Sequence, residues 1–462
     1  MHCWFSPQRA SVCCTPVLGN SGSMRCTVFG TGYLGATHAA CMAELGHDVL
    51  GVDIDAGKIA KLTAGEVPFF EPGLDEVLRR SLESGRLRFT TSYAEAADFA
   101  DLHFIGVGTP QKSGEFAADL SQLHAVVDAL APLLTRPSLI VGKSTVPVGT
   151  AEQLAERARS AAPAGDDVEV AWNPEFLREG YAVRDTLTPD RLVVGVDRSR
   201  DGRAEATLRD FYACQIADGV PFLVTNIATA ELVKAAANAF LATKISFINA
   251  VAEVCDASGA DVVELADALG YDARIGRRFL NAGLGFGGGC LPKDIRAFMA
   301  RAGELGANNV LHLLREVDGI NMGRRSTMVE MTREACGGSL LGTRIAVLGA
   351  AFKPDSDDVR DSPALNVAGQ LQLQGAAVTV FDPKAMENSR RLFPTLAYAA
   401  DIPEACTGAD AVLVLTEWQD FKDLDPEEIG AVVRARTVLD GRNCLDAQRW
   451  RSHGWRYHGM GR

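Results

Sequence analysis

The chain has no excess of positive charge; at pH 7 its formal net charge is −13. Nucleic acid is therefore not expected as a partner, because binding a phosphate backbone draws on a basic surface. A phosphorylated small ligand remains compatible, since a few local Arg, Lys and backbone N–H groups suffice to hold one. Paired cysteines are also lacking. Eleven are scattered over 462 residues, an odd number with no CxxC pair and no metal-ligand spacing. Neither a disulfide framework nor a metal centre is expected, and a reducing, cytoplasmic compartment is. No apolar run reads as long enough to span a bilayer, so no membrane partner is expected. The first 23 residues lack the basic start and long apolar stretch of a secretory signal. What is present is an ordinary globular composition, 47% hydrophobic and 23% charged, in a chain too long for a single core.

Order is expected to begin near Met24, with residues 1–23 a disordered tail. Residues 25–30 read as a buried strand, followed by a helix to about Leu45 and a second strand over 47–53. Further strand-like runs at 102–107, 138–142, 168–172 and 192–196 alternate with helical segments, which predicts a parallel sheet covered on both faces. From Ala228 to about Ala257 there is no Gly or Pro and much Ala, which predicts one long helix. More helices follow to about Cys336, then a break at Gly337-Gly338-Ser339. Strand–helix alternation resumes with runs at 344–348, 377–381, 411–415 and 437–439. The expected architecture is α/β: two doubly wound, Rossmann-like domains over 24–225 and 337–462, joined by a helical central domain over 226–336.

Gly30-Thr31-Gly32-Tyr33-Leu34-Gly35 lies between the first strand and its helix. Gly30 permits a tight turn, Gly32 lets a pyrophosphate approach the backbone, and Gly35 allows helix and strand to pack closely. The helix N-terminus offers N–H groups to the phosphates. The second strand ends at Asp53, 18 residues after Gly35, where a carboxylate would accept both ribose hydroxyls and repel a 2′-phosphate. NAD is thus expected over NADP. At the equivalent turn of the second α/β unit, Gly349-Ala350-Ala351-Phe352-Lys353, the glycine pattern is degraded and no second dinucleotide is expected. Lys353 there either meets the phosphates of another ligand or is a solvated surface lysine.

The most unusual stretch runs from Gly283 to Asp294, with five glycines over 283–289 followed by Cys290-Leu291-Pro292-Lys293-Asp294. So many glycines form no regular element, and their chain entropy calls for a reason. Pro292 suits the first turn of a helix, which puts Cys290 at a helix N-terminus. There the dipole and Lys293 are expected to lower the thiol pKa and favour the nucleophilic thiolate. The other cysteines read as small buried hydrophobes. On the long helix Glu231, Lys234 and Asn238 share one face. That face is either an exposed polar stripe or a site where Lys and Asn stabilise an oxyanion. Lys143 to Thr150 (KSTVPVGT) and Asn173 to Gly180 (NPEFLREG) each follow a strand, at the sheet edge where α/β proteins bind ligands. Glu175 is a candidate general base.

Together with PDRLVVG (189–195), AELVKAAANAF (230–240), GFGGGCLPKD (285–294), AFKPDSDDVRDSP (351–363) and DGRN (440–443), these motifs resemble the UDP-glucose 6-dehydrogenase family. The match runs in order from about Met24 to Asp446. The resemblance implies a four-electron oxidation of UDP-glucose to UDP-glucuronate with two NAD, through a thiohemiacetal and a thioester on Cys290. It implies that Lys234 and Asn238 stabilise oxyanions, Glu175 and Thr145 handle protons and water, and Asp294 orients water or Lys234. For NAD it implies Gly30 to Gly35, Asp53, Lys58, Thr109, Thr145, Glu179, Lys293 and Arg360. For the nucleotide sugar it implies Glu175, Leu177, Lys234, Asn238, Phe279, Leu280, Asn281, Gly283, Phe286, Gly287, Phe352, Lys353 and Arg442. Arg274 matches an arginine that reaches the substrate from a neighbouring subunit, so at least a homodimer built on the long helix is expected. Gly289 stands where a Ser is frequent, Leu291 replaces a common aromatic, and Asn281-Ala282 stands where many bacterial members have a Pro before the glycine. Other enzymes of the wider group take GDP-mannose or a UDP-N-acetyl-hexosamine; Arg191 in PDRLVVG looks like the UDP-glucose branch. A catalytically silent nucleotide-sugar-binding oligomer is the reading from another class.

Overall fold

The computed structural model describes residues 22–462; the tail expected over 1–23 lies, Gly22 and Ser23 apart, outside them. Short runs of Val, Ile, Leu and Phe that alternate with helices bury both faces of a sheet, and they do so twice. The first sheet comprises β1 (Arg25–Phe29), β2 (Asp48–Val52), β3 (Leu87–Thr90), β4 (Leu102–Ile105), β5 (Ser138–Gly142), β6 (Val168–Trp172), β7 (Leu192–Val196) and β8 (Phe222–Asn226). Their order is β3-β2-β1-β4-β5-β6-β7-β8. Every neighbouring pair is parallel except β6 and β7, which meet antiparallel at Trp172 and Gly195. This corrects the expectation of an all-parallel sheet. The connection between them carries only the six-residue helix Ala182–Leu187, so the chain turns back instead of crossing a sheet face as a parallel neighbour requires.

The second sheet comprises β9 (Arg344–Leu348), β10 (Ala377–Phe381), β11 (Ala397–Tyr398), β12 (Ala411–Val414), β13 (Thr437–Asp440) and β14 (Arg456–Gly459). All its pairs are parallel, in the order β11-β10-β9-β12-β13-β14. Both sheets thus have the Rossmann order, with a topological switch point beside the first strand of each.

Between them lies the helical region. The long helix spans Ile227–Ser258, starting on an Asn226 cap and stopping at Gly259. By length and composition it is long and apolar enough to cross a membrane, contrary to the expectation that no run is. It packs instead against Leu291–Glu304, Asn308–Ala335 and β7. The small core there gathers Ala239, Ala242, Phe286, Ile295, Met299, Leu314 and Val317. Phe286 is the glycine-rich segment's contribution to that core, and it anchors the loop that presents Cys290.

Candidate active site

At the mouth of the first sheet β1 runs into Gly30, whose φ is 85°, and then into the helix Tyr33–Glu44. A side chain on Gly35 would place its Cβ 1.7 Å from the Gly30 carbonyl oxygen, so only glycine lets this helix sit so close to the turn. Gly32 has no side-chain cap above it, the first turn holds no acid, and the space a Gly32 side chain would take is open. Backbone N–H groups and a positive dipole end thus face free space, which fits a pyrophosphate. Leu34 packs against Gly106, just past the end of β4. Asp53, just past β2, accepts from Thr31 N at 2.8 Å, Thr31 Oγ1 at 3.0 Å and Lys58 Nζ at 2.9 Å through one oxygen. Burial raises its pKa, but Asp55 N–H, Lys58 and Thr31 more than offset this and hold the carboxyl below its ordinary value. An ionised acid at this position suits a free ribose and disfavours a 2′-phosphate, so the residues present fit NAD.

The second sheet's mouth is closed. Its equivalent acid, Asp382, accepts from Ala350 N at 2.8 Å, Ala351 N at 3.0 Å and Trp418 Nε1 at 3.1 Å.

Cys290 is the N-cap of the helix Leu291–Glu304, with Pro292 in its first turn, as expected. The thiol itself departs from expectation. Its pKa is raised, first by burial and then by the Asp294 and Glu179 carboxylates; Lys293 and Lys234 pull the other way and do not prevail. The residue opens to solvent on one side while protein surrounds the sulfur on the others, which withholds the hydration a thiolate needs. Along the chain the helix terminus, Lys293 and Asp294 were readable, whereas the burial and Glu179 were not. Of the other cysteines, Cys26, Cys41, Cys255 and Cys406 are buried as expected, whereas Cys214 is exposed.

Around the thiol runs a polar chain. Asn238 Nδ2 donates to Asp294 Oδ2 at 2.6 Å, and Lys293 Nζ donates to Asp294 Oδ1 at 2.5 Å. Lys234 lies over the Phe176 ring, its ammonium 5.4 Å from the centroid, and Arg191 covers the same ring at 4.0 Å. Thr109 donates to the Thr145 carbonyl at 2.8 Å. Thr109, Thr145, Lys293 and Asp294 open onto one cavity of about 230 Å³. Glu175 accepts from Phe176 N at 2.8 Å and Leu177 N at 3.1 Å, and its other oxygen lies 3.1 Å from Lys143 Nζ. Lys143 was not among the expected site residues. It is 3% exposed, and a lysine ending a buried strand is a signal that it has a fixed partner.

The NPEFLREG segment joins the two halves of the site. Gly180 N donates to Tyr33 Oη at 3.1 Å and to Glu71 Oε2 at 2.6 Å. The adjacent Glu179 is raised to about 7 by burial and Asp358, and its charge acts on Cys290. This segment therefore links the helix that follows the dinucleotide turn to the surroundings of the thiol. Arg360 approaches Glu179 at 3.4 Å and pairs with Asp358 at 2.7 Å. A Cβ on Gly289 would meet the Arg360 guanidinium carbon at 2.1 Å, a contact that this flexible, exposed side chain would relieve by shifting.

From the second sheet's side, Lys353 donates to the Glu179 carbonyl at 2.5 Å, and burial lowers its pKa; it is not a solvated surface lysine. Phe352 packs on Gly288 and Gly287 on Pro363. Arg442 donates to the carbonyls of Leu415 at 2.8 Å, Gly285 at 2.8 Å and Phe352 at 3.3 Å, so it braces the glycine loop. Gly283 N donates to Asn249 Oδ1 at 2.8 Å. Phe279 has a φ of 66°, Leu280 is buried, and Asn281 accepts from Arg277 at 2.7 Å.

Arg274 stands apart from the cluster, and Glu231, although it lines the cavity of Thr109, Thr145, Lys293 and Asp294, serves another purpose. Arg274 is exposed, its side chain 89% accessible and paired with Asp272 at 2.6 Å. Glu231 does not join Lys234 and Asn238 despite sharing their face. It accepts from Gly149 N at 2.8 Å and Ala151 N at 2.7 Å, capping the helix Thr150–Ala161.

A Rossmann-ordered sheet whose Gly30–Gly35 turn and Asp53 fit NAD, linked through Glu179 and Gly180 to a cysteine at a helix N-terminus, defines the class: a dehydrogenase that works with NAD. Comparison with known proteins narrows it. The NAD-binding, central and UDP-binding domain models of the UDP-glucose/GDP-mannose dehydrogenase family match residues 24–215, 228–322 and 346–447. A UDP-glucose 6-dehydrogenase from Rhizobium meliloti (strain 1021) is 43% identical, with 95% of this chain and 100% of that protein covered. The structure of a UDP-glucose dehydrogenase from Pyrobaculum islandicum superposes with a TM-score of 0.88 at 39% identity, covering 96% of this chain and 98% of the other. A UDP-D-ManNAc dehydrogenase from Pyrococcus horikoshii gives 0.84 at 28% identity, covering 95% and 99%. The chain belongs to the UDP-glucose/GDP-mannose dehydrogenase family.

Proposed function

We propose that the chain oxidises UDP-glucose to UDP-glucuronate by four electrons, with Cys290 carrying the sugar between the two oxidations. The observation that carries this reading is a thiol at a helix N-terminus among Lys234, Lys293, Asp294 and Glu179. NAD, when bound at the Gly30–Gly35 turn and Asp53, accepts a hydride in each oxidation. The Cys290 sulfur bonds to the aldehyde carbon as its proton leaves, giving a thiohemiacetal that is itself a hydride donor. Lys234 and Asn238 donate to the oxyanion. After the second oxidation the sugar is a thioester; water attacks its carbonyl carbon and the Cys290 sulfur departs. Glu175, held by Lys143, and Thr145 handle the protons and the water. In sum, UDP-glucose, two NAD and water give UDP-glucuronate and two NADH. Identity of about two-fifths to proteins named for UDP-glucose, against 28% to the UDP-D-ManNAc enzyme, favours that sugar.

The test is stoichiometric. Two NADH per UDP-glucose consumed are expected, and a ratio of one would sink the thioester route. Cys290→Ser should lose nearly all turnover; near-parental activity would remove the thiol from the chemistry.

A homodimer built on the long helix is part of the proposal. Phe240, Phe247 and Val254, seven residues apart, are 66%, 53% and 64% exposed on one stripe, and such a stripe calls for a covering partner. Phe247→Glu should yield monomers in sedimentation; an unchanged assembly would place the interface elsewhere.

A further inference from the structure

The helix that opens the dinucleotide site buries an imidazole used by none of the roles above. His38 lies within Tyr33–Glu44, is 1% exposed, and packs edge-on against Phe104 with ring centroids 4.8 Å apart. Neither ring nitrogen has a hydrogen-bond partner among the protein groups. Burial, and then the nearby Lys143 ammonium, keep the ring neutral. It therefore presents one N–H donor and one bare nitrogen acceptor, and leaving both unpaired in a dry interior is costly.

Beside the ring is a chamber of about 20 Å³, which exceeds the least volume that admits one water. Its walls include Lys143, Asn173, Glu175, Thr186, Tyr212 and Gln215. Two of these are orphaned like His38: Thr186 Oγ1 and Gln215 Oε1 are buried without a partner. A third has capacity left. Lys143 Nζ donates to Asn173 Oδ1 at 3.0 Å and meets Glu175 Oε2 at 3.1 Å, which uses two of its three protons. Tyr212 donates to Asn173 Oδ1 at 2.7 Å and Asn173 Nδ2 to the Val193 carbonyl at 2.8 Å, so those two walls are already satisfied. The unmet groups are thus both donors and acceptors, and they converge on a space sized for a molecule with two of each.

We infer that this chamber is a fixed-water site, and that His38 is a positioning residue which, through that water, steadies the Lys143 ammonium against Glu175. The water accepts from Lys143 or the His38 N–H and donates to Gln215 Oε1 or the bare His38 nitrogen. Lys143 is then tethered on three sides, and the Glu175 carboxylate it meets keeps one orientation toward the cleft. The water site stands on geometry alone; its effect on turnover rests on the reading of Glu175 given under Proposed function.

The test has a structural and a kinetic arm. A high-resolution crystal structure of the parent protein should show one ordered water within hydrogen-bond distance of His38 and Lys143; a dry chamber overturns the proposal. His38→Leu fills the space with methyl groups. Its kcat should fall about tenfold, a modest share of what a positioned proton-transfer group contributes, while KM for NAD and for UDP-glucose holds. His38→Gln keeps a donor and an acceptor and should recover most of the loss. Equal impairment of both variants, a rise in KM for NAD alone, or parental kcat in His38→Leu would each overturn the positioning role. The NADH stoichiometry of the parent protein is read separately. A ratio of one would sink the reading of Glu175 while the crystallographic arm still decides the water.

Discussion

At Cys290 the first turn of a helix and two ammonium groups favour the thiolate, while burial, Asp294 and Glu179 oppose it and prevail. A thiol in that state is held in reserve. It becomes a nucleophile when something removes its proton or neutralises a carboxylate nearby, which limits adventitious alkylation or oxidation between turnovers. In ligand-free protein the rate of Cys290 alkylation by iodoacetamide should keep rising as pH passes the ordinary thiol value of 9.0. Asp294→Asn removes a charge that raises the thiol pKa, so its profile should move to lower pH. A parental profile that levels off below the ordinary thiol value, or an unmoved Asp294→Asn profile, would contradict this account. Glu175 and Lys143 show the reverse arrangement, a carboxylate whose cation lies within 3.1 Å. Their sequence separation of 32 residues conceals the pairing, which exists because β5 and β6 are neighbours.

Among the elements, the helix Asn308–Ala335 does more than pack. Asn321 Oδ1 accepts from Phe286 N at 2.7 Å and its Nδ2 donates to the Phe286 carbonyl at 3.0 Å, pairing with the loop as a strand would. Asn321→Asp is nearly isosteric, yet it sets a carboxylate against that carbonyl. It should lose roughly 2–3 kcal/mol of stability, the scale of a buried polar group left unpaired, and most activity with it. A variant that melts and turns over like its parent would reduce Asn321 to a space filler. The central strands of both sheets were legible in the chain because burial on two faces demands unbroken apolar runs. The edge strands β3, β8, β11 and β14 were not: Leu87-Arg88-Phe89-Thr90 and Arg456-Tyr457-His458-Gly459 mix polarity because one side meets solvent. The long helix was read to within a residue of Ile227–Ser258. Glu231 shows what periodicity omits. It places a side chain on a face and says nothing of which neighbour, here the start of the helix Thr150–Ala161, that side chain reaches.

Across the whole molecule, the site closes where Glu179 of the first half meets Lys353, Ser356 and Arg360 of the second. Folding lifts the Glu179 carboxyl from its ordinary 4.5 to about 7. Between those values the folded chain keeps a proton that the unfolded chain has lost, so this group's contribution to stability falls as pH rises through that window. In the absence of ligands, Glu179→Gln should flatten the decline of Tm from acid to neutral pH and raise Tm above neutrality. Parallel curves for variant and parent would show that the clasp does not titrate there.

The long helix also carries four fastenings along its length. Glu231 caps another helix, Asn238 holds Asp294, Asn249 holds the Gly283 amide, and Asp256 accepts from Gly461 N at 3.0 Å. From the first to the last is roughly 37 Å at 1.5 Å per residue. A rod fastened at four places works as a ruler. One inserted residue would swing everything beyond it by about 100° and advance it by about 1.5 Å, detaching either the thiol or the loop beside it. A substitution between Glu231 and Asp256 leaves the spacing of the fastenings intact; an insertion or deletion does not.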